Sequence, residues 1–176
     1  MTQPYRLQVG GAIDRSRLLG FRFDGRDYQG HPGDTLASAL LANGVRVVAR
    51  SFKYHRPRGI FAAGVEEPSA LVQLGVGGHA EPNRRPGEVA LYDGLRASSQ
   101  HAWPSLAADF GALAGALTPL LPAGFYYKTF LAPQALWAAL WEPLLRRMAG
   151  LGRAPEAPDP ARYDKRHTHC DALVVG

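Results

Sequence analysis

Apolar and polar residues alternate near the start of the chain in the way that is typical of β-strands. The segment YRLQV predicts a short strand, and FRFDGRDYQG predicts a hairpin. Asp24 and Gly25 form a two-residue turn signal, and Phe21, Phe23 and Tyr28 flank this turn at strand spacing. The chain is therefore expected to begin with a small antiparallel unit.

The apolar period changes to that of a helix in the next segment, HPGDTLASALLANGV. Asp34 is the predicted N-cap, and the pair Asn43 and Gly44 predicts the C-terminal end. The apolar face at spacing i, i+3, i+4 consists of Leu36, Ala39 and Leu40. These signals predict one short helix of about ten residues.

Three further extended runs follow the helix: VRVVARSF, ALVQLG and EVALYDG. An order of two strands, a helix and then more strands predicts an α+β fold of the β-grasp type, in which a small sheet wraps around one helix. Residues 1–100 are the expected extent of this domain, although several other α+β folds begin in the same way.

From about residue 101 the pattern becomes helical, and residues 101–151 are predicted as a helical extension. WPSLAADFGALAGAL predicts a helix with Ser105 as its cap and Asp109 in its first turns. APQALWAALWEPLLRRMAG predicts another helix, which Pro143 should kink or restart and Gly150 should end. The broad apolar stripe from Leu136 to Leu145 requires cover from the rest of the chain or from another subunit.

The last part of the chain is predicted to be a linker followed by a buried strand. Residues 152–166 are rich in proline and charge. Residues 167–176 end in CDALVVG, an apolar run that stops at Gly176. Since such a strand running into glycine opens a dinucleotide-binding βαβ unit, we expect the first strand of a truncated dinucleotide-binding domain here.

Composition narrows the possible functions. The 176 residues carry a formal net charge of +5 and a single cysteine, Cys170, which excludes a disulfide or a multi-thiolate metal site within the chain. We find no nucleic-acid-binding signature and no signal peptide. The uncharged segment 110–127 is broken by proline and glycine, so no membrane span is predicted and a cytoplasmic location is expected. His167 and His169 have no third ligand nearby, so no metal site is predicted.

The basic segment RSFKYHRPRG is the main functional candidate. Its cations are Arg50, Lys53, His55, Arg56 and Arg58. If the segment is a strand, alternate side chains share a face, and the cluster would suit a phosphate or pyrophosphate. We therefore predict that Lys53, His55, Arg56 and Arg58, together with Gly176, bind a cofactor.

Two other interpretations of this segment remain open. The cations could form salt bridges to Glu66, Glu67 or another subunit, or they could form a solvated edge. We find no nucleophile motif and no paired catalytic carboxylates, so no catalytic residue is predicted.

Four segments of the chain carry a family resemblance. GDTLASALLANGVRVVARSFKYHRPRGIFAAGVEEPSALVQ, VALYDGLRASSQHAWPSL, LLPAGFYYKTF and RYDKRHTHCDALVVG resemble the N-terminal part of the alpha subunits of heterotetrameric sarcosine oxidases. Related alpha subunits belong to dye-linked proline and opine dehydrogenases and to hydrogen cyanide synthase. A free-standing β-grasp interaction module is the alternative from a different class.

The resemblance implies a [2Fe–2S]-ferredoxin-like β-grasp domain within a larger complex with beta, gamma and delta subunits. That complex would demethylate sarcosine oxidatively to glycine, form hydrogen peroxide and pass the one-carbon unit to tetrahydrofolate. NAD, FAD and FMN are the further cofactors implied for the whole complex. The isolated chain is expected to be inactive.

The resemblance also directs attention to the loop FAAGVEEPSA. Cluster-bearing relatives place a C-x4-C-x2-C motif after an Arg-Gly turn, and here the three positions fall on Ala62, Glu67 and Ala70. From these residues we predict a cluster-less domain, with no cofactor in this chain alone and no iron–sulfur cluster. Glu67 is expected to accept hydrogen bonds from backbone amides of the loop.

Overall fold

The computed structural model describes residues 3–52, 54–113 and 134–174. Strand β1 (Leu19–Phe23) pairs antiparallel with β2 (Arg26–Gly30). Asp24 and Gly25 connect them with φ angles of 46° and 77°, the left-handed conformation that a tight hairpin turn requires at both positions. The predicted hairpin is confirmed. The strand predicted at YRLQV is absent; instead, the Tyr5 amide donates to the carbonyl of Ala42 and ties this segment to the helix.

Helix α1 (Leu36–Ala42) begins one residue later than predicted. Thr35, not Asp34, is the N-cap: its hydroxyl accepts from the Ser38 amide at 3.2 Å, and the Ser38 hydroxyl accepts from the Thr35 amide at 3.0 Å. The predicted C-terminal end is confirmed, with Asn43 as C-cap and Gly44 at φ 80°.

Asp34 is used for a buried ion pair rather than for capping. Its fully buried carboxylate accepts from both terminal nitrogens of Arg6, at 2.7 and 2.6 Å, and from the Ser38 hydroxyl and the His31 amide. Burial raises the pKa of Asp34, but the hydrogen bonds from Arg6, Ser38 and His31 more than offset that effect and hold the pKa below its usual value. The pair fastens the N-terminal segment to the start of α1.

The main sheet contains β1, β2 and three later strands, β5 (Val72–Leu74), β6 (Glu81–Arg84) and β7 (Leu95–Ser99). The five strands lie in the order β2-β1-β7-β5-β6. Strands β1 and β7 are parallel, and the other neighbours are antiparallel. This mixed sheet with one helix packed on it is the β-grasp arrangement, so the α+β prediction is confirmed.

The core lies between α1 and the sheet. Its most deeply buried large side chains are those of Leu36, Leu40, Val48, Val72 and Leu95. At about 1.5–3 kcal/mol for each large aliphatic side chain, this burial is the main source of folding free energy. The alternating burial along β1 places Leu19, Phe21 and Phe23 against the same core.

The strand predicted at EVALYDG is wrong. Residues 88–94 contain only an isolated bridge between Ala90 and Thr35. The carbonyl of Val89 accepts from the Leu36 amide, and the Leu91 amide donates to the carbonyl of Asp34, so this apolar run covers the start of α1 instead of joining the sheet. The central strand is the more polar β7, which periodicity had not singled out.

The first helix predicted after residue 101 is also wrong over its described part. Residues 103–109 are irregular, with a bridge between Pro104 and Asp109, and residues 110–113 form a 3-10 turn. The Ser105 hydroxyl accepts from the Ala108 amide at 3.1 Å, which closes a local turn and not a helix. Residues 114–117 of this prediction lie outside the described residues.

The second predicted helix is present in three short pieces. A 3-10 turn (Gln134–Leu136) and a π-helical turn (Trp137–Trp141) precede helix α2 (Glu142–Met148). Pro143 lies in the first turn of α2, as its missing amide donor favours, and Gly150 follows the end at φ 68°. The predicted restart and end are confirmed.

Residues 151–174 contain no helix or strand. The strand predicted over 172–175 is not formed at 172–174, where no described strand lies alongside to accept or donate its backbone hydrogen bonds. Val175 and Gly176 lie outside the described residues, as does most of the uncharged segment 110–127. Within the part of the chain that is described, no helix is long and apolar enough to cross a membrane.

The Arg6–Asp34 pair yields a first prediction. Arg6→Ala should lower the free energy of unfolding by about 3 kcal/mol, because it leaves a buried carboxylate without its charged partner. Urea denaturation followed by circular dichroism measures the change. Arg22→Ala is the matched control, since its ion pair with Asp27 is exposed on both sides and its loss should barely move the midpoint. Equal effects of the two substitutions would contradict a special role for the buried pair.

Candidate functional site

The basic segment forms a small hairpin and not one continuous strand. Strand β3 (Ala49–Arg50) pairs antiparallel with β4 (Pro57–Arg58). At its tip the Ser51 amide donates to the carbonyl of Arg56 at 2.9 Å, and the Arg56 amide donates to the Ser51 hydroxyl at 2.9 Å. Since His55 also adopts a left-handed φ of 48°, the cations do not alternate between two faces.

Arg50 points into the protein and holds the hairpin to a neighbouring segment. Its guanidinium donates to the carbonyl of His55 at 3.1 Å and to the carbonyl of Leu106. Its Nε lies 3.8 Å from Oδ2 of Asp109, in an ion pair whose two side chains are 12% and 0% exposed. Arg50 is therefore a structural cation.

His55 is paired with the same carboxylate. Its Nδ1 lies 2.7 Å from Oδ2 of Asp109, while Oδ1 of Asp109 accepts from the amides of Trp103 and Gly111. Burial raises the pKa of Asp109, but the hydrogen bonds from Trp103, His55 and Gly111 outweigh it and hold this pKa below its usual value. Sequence reasoning missed this pair because Asp109 was assigned to a helix.

A second histidine, His101, completes the buried side of the hairpin. Its Nδ1 lies 2.7 Å from the carbonyl oxygen of Arg50, which can only accept, so Nδ1 carries the proton. The rings of His101 and His55 meet edge to face, with centroids 4.5 Å apart. No sequence motif joins these residues, which are brought together only by the fold.

Among the cations of this segment that the structure describes, Arg56 and Arg58 are exposed. The Arg56 guanidinium lies over the Tyr54 ring at 4.9 Å from its centroid. Among the described residues neither arginine forms an ion pair, so the predicted alternative of salt bridges to Glu66 or Glu67 is not seen there. The structure thus brings His55, Arg56 and Arg58 into one hairpin, whereas Lys53 and Gly176 lie outside the described residues.

The loop that follows the hairpin is organised by Glu67, which is 2% exposed. One carboxylate oxygen accepts from the amides of Phe61 and Ala62, both at 2.7 Å, and the other accepts from Ser69 at 2.9 Å and Ala70 at 3.2 Å. Burial raises the pKa of Glu67, but these four backbone bonds outweigh it and lower the pKa below its usual value. The expected role of Glu67 is confirmed.

The fold and this loop match a defined class of domain. Residues 16–102 match the family model of the 2Fe-2S iron-sulfur cluster binding domain. Together with the mixed sheet and the packed helix, this match defines a ferredoxin-like α+β domain.

More specific relatives are alpha subunits of sarcosine oxidase. The chain is 60% identical over 172 residues to that of Rhizobium meliloti (strain 1021), covering 98% of this chain and 17% of the relative. It is 34% identical over 180 residues to that of Corynebacterium sp. (strain U-96), covering 100% of this chain and 14% of the relative. The chain belongs to the family of sarcosine oxidase alpha subunits, as the resemblance predicted, and it spans less than a fifth of their length.

Similarity to a solved structure is weak. An L-proline dehydrogenase from P. horikoshii aligns at a TM-score of 0.39 and 24% identity, covering 52% of this chain and 17% of its own. This likeness is too low to bear on the fold or the function.

The family match corrects one prediction. The expectation that this chain has no cofactor and no iron–sulfur cluster is contradicted, because the matched family is one of cluster-binding domains. That expectation was based on cysteine count and on loop positions that hold Ala62, Glu67 and Ala70.

The described residues nevertheless do not offer the set of metal ligands that a four-thiolate site requires. The one cysteine, Cys170, is exposed and lies beyond the matched residues 16–102. Within the described ranges there is no group of three or more His, Cys, Asp or Glu side chains that could hold a metal ion. Because these residues do not fit a four-thiolate cluster, no chemical step is assigned to one.

The four bonds to Glu67 yield a second prediction. Glu67→Gln should destabilise the protein by about 2–3 kcal/mol at neutral pH, because charge-assisted bonds are lost and the amide group faces backbone donors. The folded-state pKa of Glu67 is lowered, so its contribution is complete above the ordinary glutamate pKa and is lost as pH falls through the folded value.

Urea denaturation across the acid range tests this prediction. The stability difference between wild type and Glu67→Gln should shrink as pH decreases, because the protonated glutamic acid then resembles glutamine. Glu66→Gln is the matched control, since Glu66 is the exposed neighbour and its replacement should change little at any pH. A difference that is independent of pH would contradict the role of the carboxylate charge.

Proposed function

We propose that this chain forms the ferredoxin-like, N-terminal region of a sarcosine-oxidase-type alpha subunit in a cytoplasmic complex with beta, gamma and delta subunits. The complex oxidatively demethylates sarcosine to glycine, forms hydrogen peroxide and transfers the one-carbon unit to tetrahydrofolate. This region contributes structure and cofactor positioning to the complex and has no catalytic residue of its own.

The observation that carries this proposal is the 60% identity to a sarcosine oxidase alpha subunit over 98% of the chain. The alignment behind this identity extends beyond residues 16–102, which match the general domain family, into the segments that follow. Similarity over both parts supports a role specific to this family rather than a generic ferredoxin-like module.

The proposed positioning role belongs to the exposed side of the basic hairpin. Arg50 and His55 are engaged inside the protein by Asp109, so among the described cations of this segment Arg56 and Arg58 are the ones presented to the outside. Arginine suits this role because its guanidinium makes bidentate contacts to phosphate oxygens. We propose that these two side chains contact the phosphate group of a cofactor held by the complex, with Lys53 and Gly176 as further contributors.

A direct test of the proposed reaction starts from the assembled enzyme. Protein purified through a tag on this chain from its own cells should oxidise sarcosine, consume oxygen and form hydrogen peroxide. Proline or an opine as the preferred substrate, with reduction of an artificial dye, would favour a related dehydrogenase instead. Purification of the chain without other subunits would favour a free-standing interaction module.

The proposed phosphate contact gives a separate prediction. In the assembled complex, Arg56→Ala combined with Arg58→Ala should weaken retention of a phosphate-bearing cofactor about tenfold, because two charge-assisted contacts are lost. Flavin and dinucleotide content after gel filtration measures retention.

The matched control for that prediction is Arg26→Ala combined with Arg96→Ala. It removes the same number of exposed cations from strands β2 and β7, away from the basic hairpin, and should leave the cofactor content unchanged. Equal cofactor loss in both double variants would show that only net charge matters, and unchanged content in both would reject the contact.

A further inference from the structure

A cleft of about 260 Å³ lies against the basic hairpin. The hairpin, the end of the Glu67 loop and the turn after α2 form its walls. Its lining comprises Ala49, Arg50, Ser51, Phe52, Arg58, Pro68, Ser69, Leu71, His101, Ala149 and Gly150. With His101, which follows β7, four separate parts of the chain therefore meet around one small space.

Close packing and hydrogen bonds hold the walls of the cleft in place. Gly150 packs on His101 so closely that an added Cβ would meet the His101 side chain at 2.3 Å. The Gln100 amide group donates to the carbonyl of Gly150 at 3.1 Å. On the opposite wall, Glu67 fixes the backbone of Ser69 through its amide. A cleft with such fixed walls can present a constant set of polar groups to a ligand.

The polar groups of the cleft favour an anion. Two arginines, one histidine and two serines line it, and none of its lining residues is an aspartate or glutamate. The charge of Arg50 is balanced by Asp109, which is not among the residues that line the cleft, whereas Arg58 forms no ion pair within the described residues. The net charge offered to a ligand in the cleft is therefore positive.

Hydrogen-bond donors in the cleft are available to a ligand. The Ser69 hydroxyl forms no hydrogen bond within the described part of the chain, where only its backbone amide is used. The Ser51 hydroxyl accepts from the Arg56 amide, so its own hydrogen can still be donated. A guanidinium with two serine hydroxyls can satisfy several oxygens of one tetrahedral oxyanion.

We infer that this cleft binds a phosphate group, held by the Arg58 guanidinium and the hydroxyls of Ser51 and Ser69. The volume supports a small ligand, because it lies below the roughly 300–1,000 Å³ of pockets that enclose drug-sized molecules. The site goes beyond the function proposed above, since it would accept inorganic phosphate as well as the phosphate of a nucleotide.

Calorimetric titration of the 176-residue chain with inorganic phosphate and, separately, with adenosine monophosphate tests this site. We expect saturable binding that Arg58→Gln weakens about tenfold, because one charge-assisted contact is lost. Arg96→Gln is the matched control: it removes the same charge from an exposed position of β7, and Arg96 does not line the cleft, so the change should be less than twofold. Thermal unfolding should show that both variants remain folded.

The two titrations distinguish the source of the phosphate. Arg58-dependent binding of inorganic phosphate alone assigns the site to the free anion, and Arg58-dependent binding of the nucleotide alone assigns it to a nucleotide cofactor. Nuclear magnetic resonance gives a second measurement: the ring resonances of His101 should shift with the ligand in wild type and Arg96→Gln, but not in Arg58→Gln.

Two results would overturn the inference. The first is the absence of saturable binding for both ligands in the wild type. The second is equal weakening by Arg96→Gln and Arg58→Gln, which would show attraction to surface charge and not a defined site. Neither result depends on the cofactor content of the complex, so the failure of this inference and that of the proposed function can be told apart.

Discussion

Buried carboxylates that satisfy loop backbone and side-chain donors are the constraint on which this structure depends. Asp34, Glu67 and Asp109 each have a side chain or residue almost fully removed from solvent, and each accepts several hydrogen bonds. Only short stretches of the chain are regular strand or helix, so many loop amides need other partners. An ionised carboxylate provides up to four acceptor positions in one place, and its strong hydrogen bonds offset the cost of burying its charge.

These carboxylates connect the core to the candidate site. Glu67 fixes the loop that ends at Ala70, two residues before strand β5, so this strand and the loop hold one conformation together. Asp109 joins the basic hairpin to residues 103–111 through Arg50 and His55. The positions of the exposed arginines therefore follow from acceptors that never reach the surface. A substitution at Asp109 would therefore affect the conformation of the hairpin tip, although no residue of the tip is replaced.

Local signals predicted the elements whose causes are local. The turn at Asp24 and Gly25 and the end of α1 at Gly44 require backbone conformations that few residues adopt, and both were readable from sequence. The prediction of a strand at EVALYDG was wrong because its apolar residues pack over the start of α1. Burial alone does not distinguish a strand that pairs in a sheet from an extended segment that packs on a helix. Asp34 was misassigned for a similar reason: a capping residue and a buried ion-pair partner have the same chemistry, and only the distant Arg6 decides between them.

The basic segment shows why a cluster of charges in sequence is a poor measure of a charged surface. Five cations lie within nine residues, yet the fold turns Arg50 and His55 inward to Asp109 and leaves Arg56 and Arg58 outside. Even the two exposed arginines differ, since Arg56 lies over Tyr54 and Arg58 lines the cleft. Because Asp109 lies more than fifty residues beyond Arg50, no local sequence pattern shows which of these cations turn inward and which stay exposed. The acceptor that removes cations from the surface decides which of the remaining ones can meet a ligand.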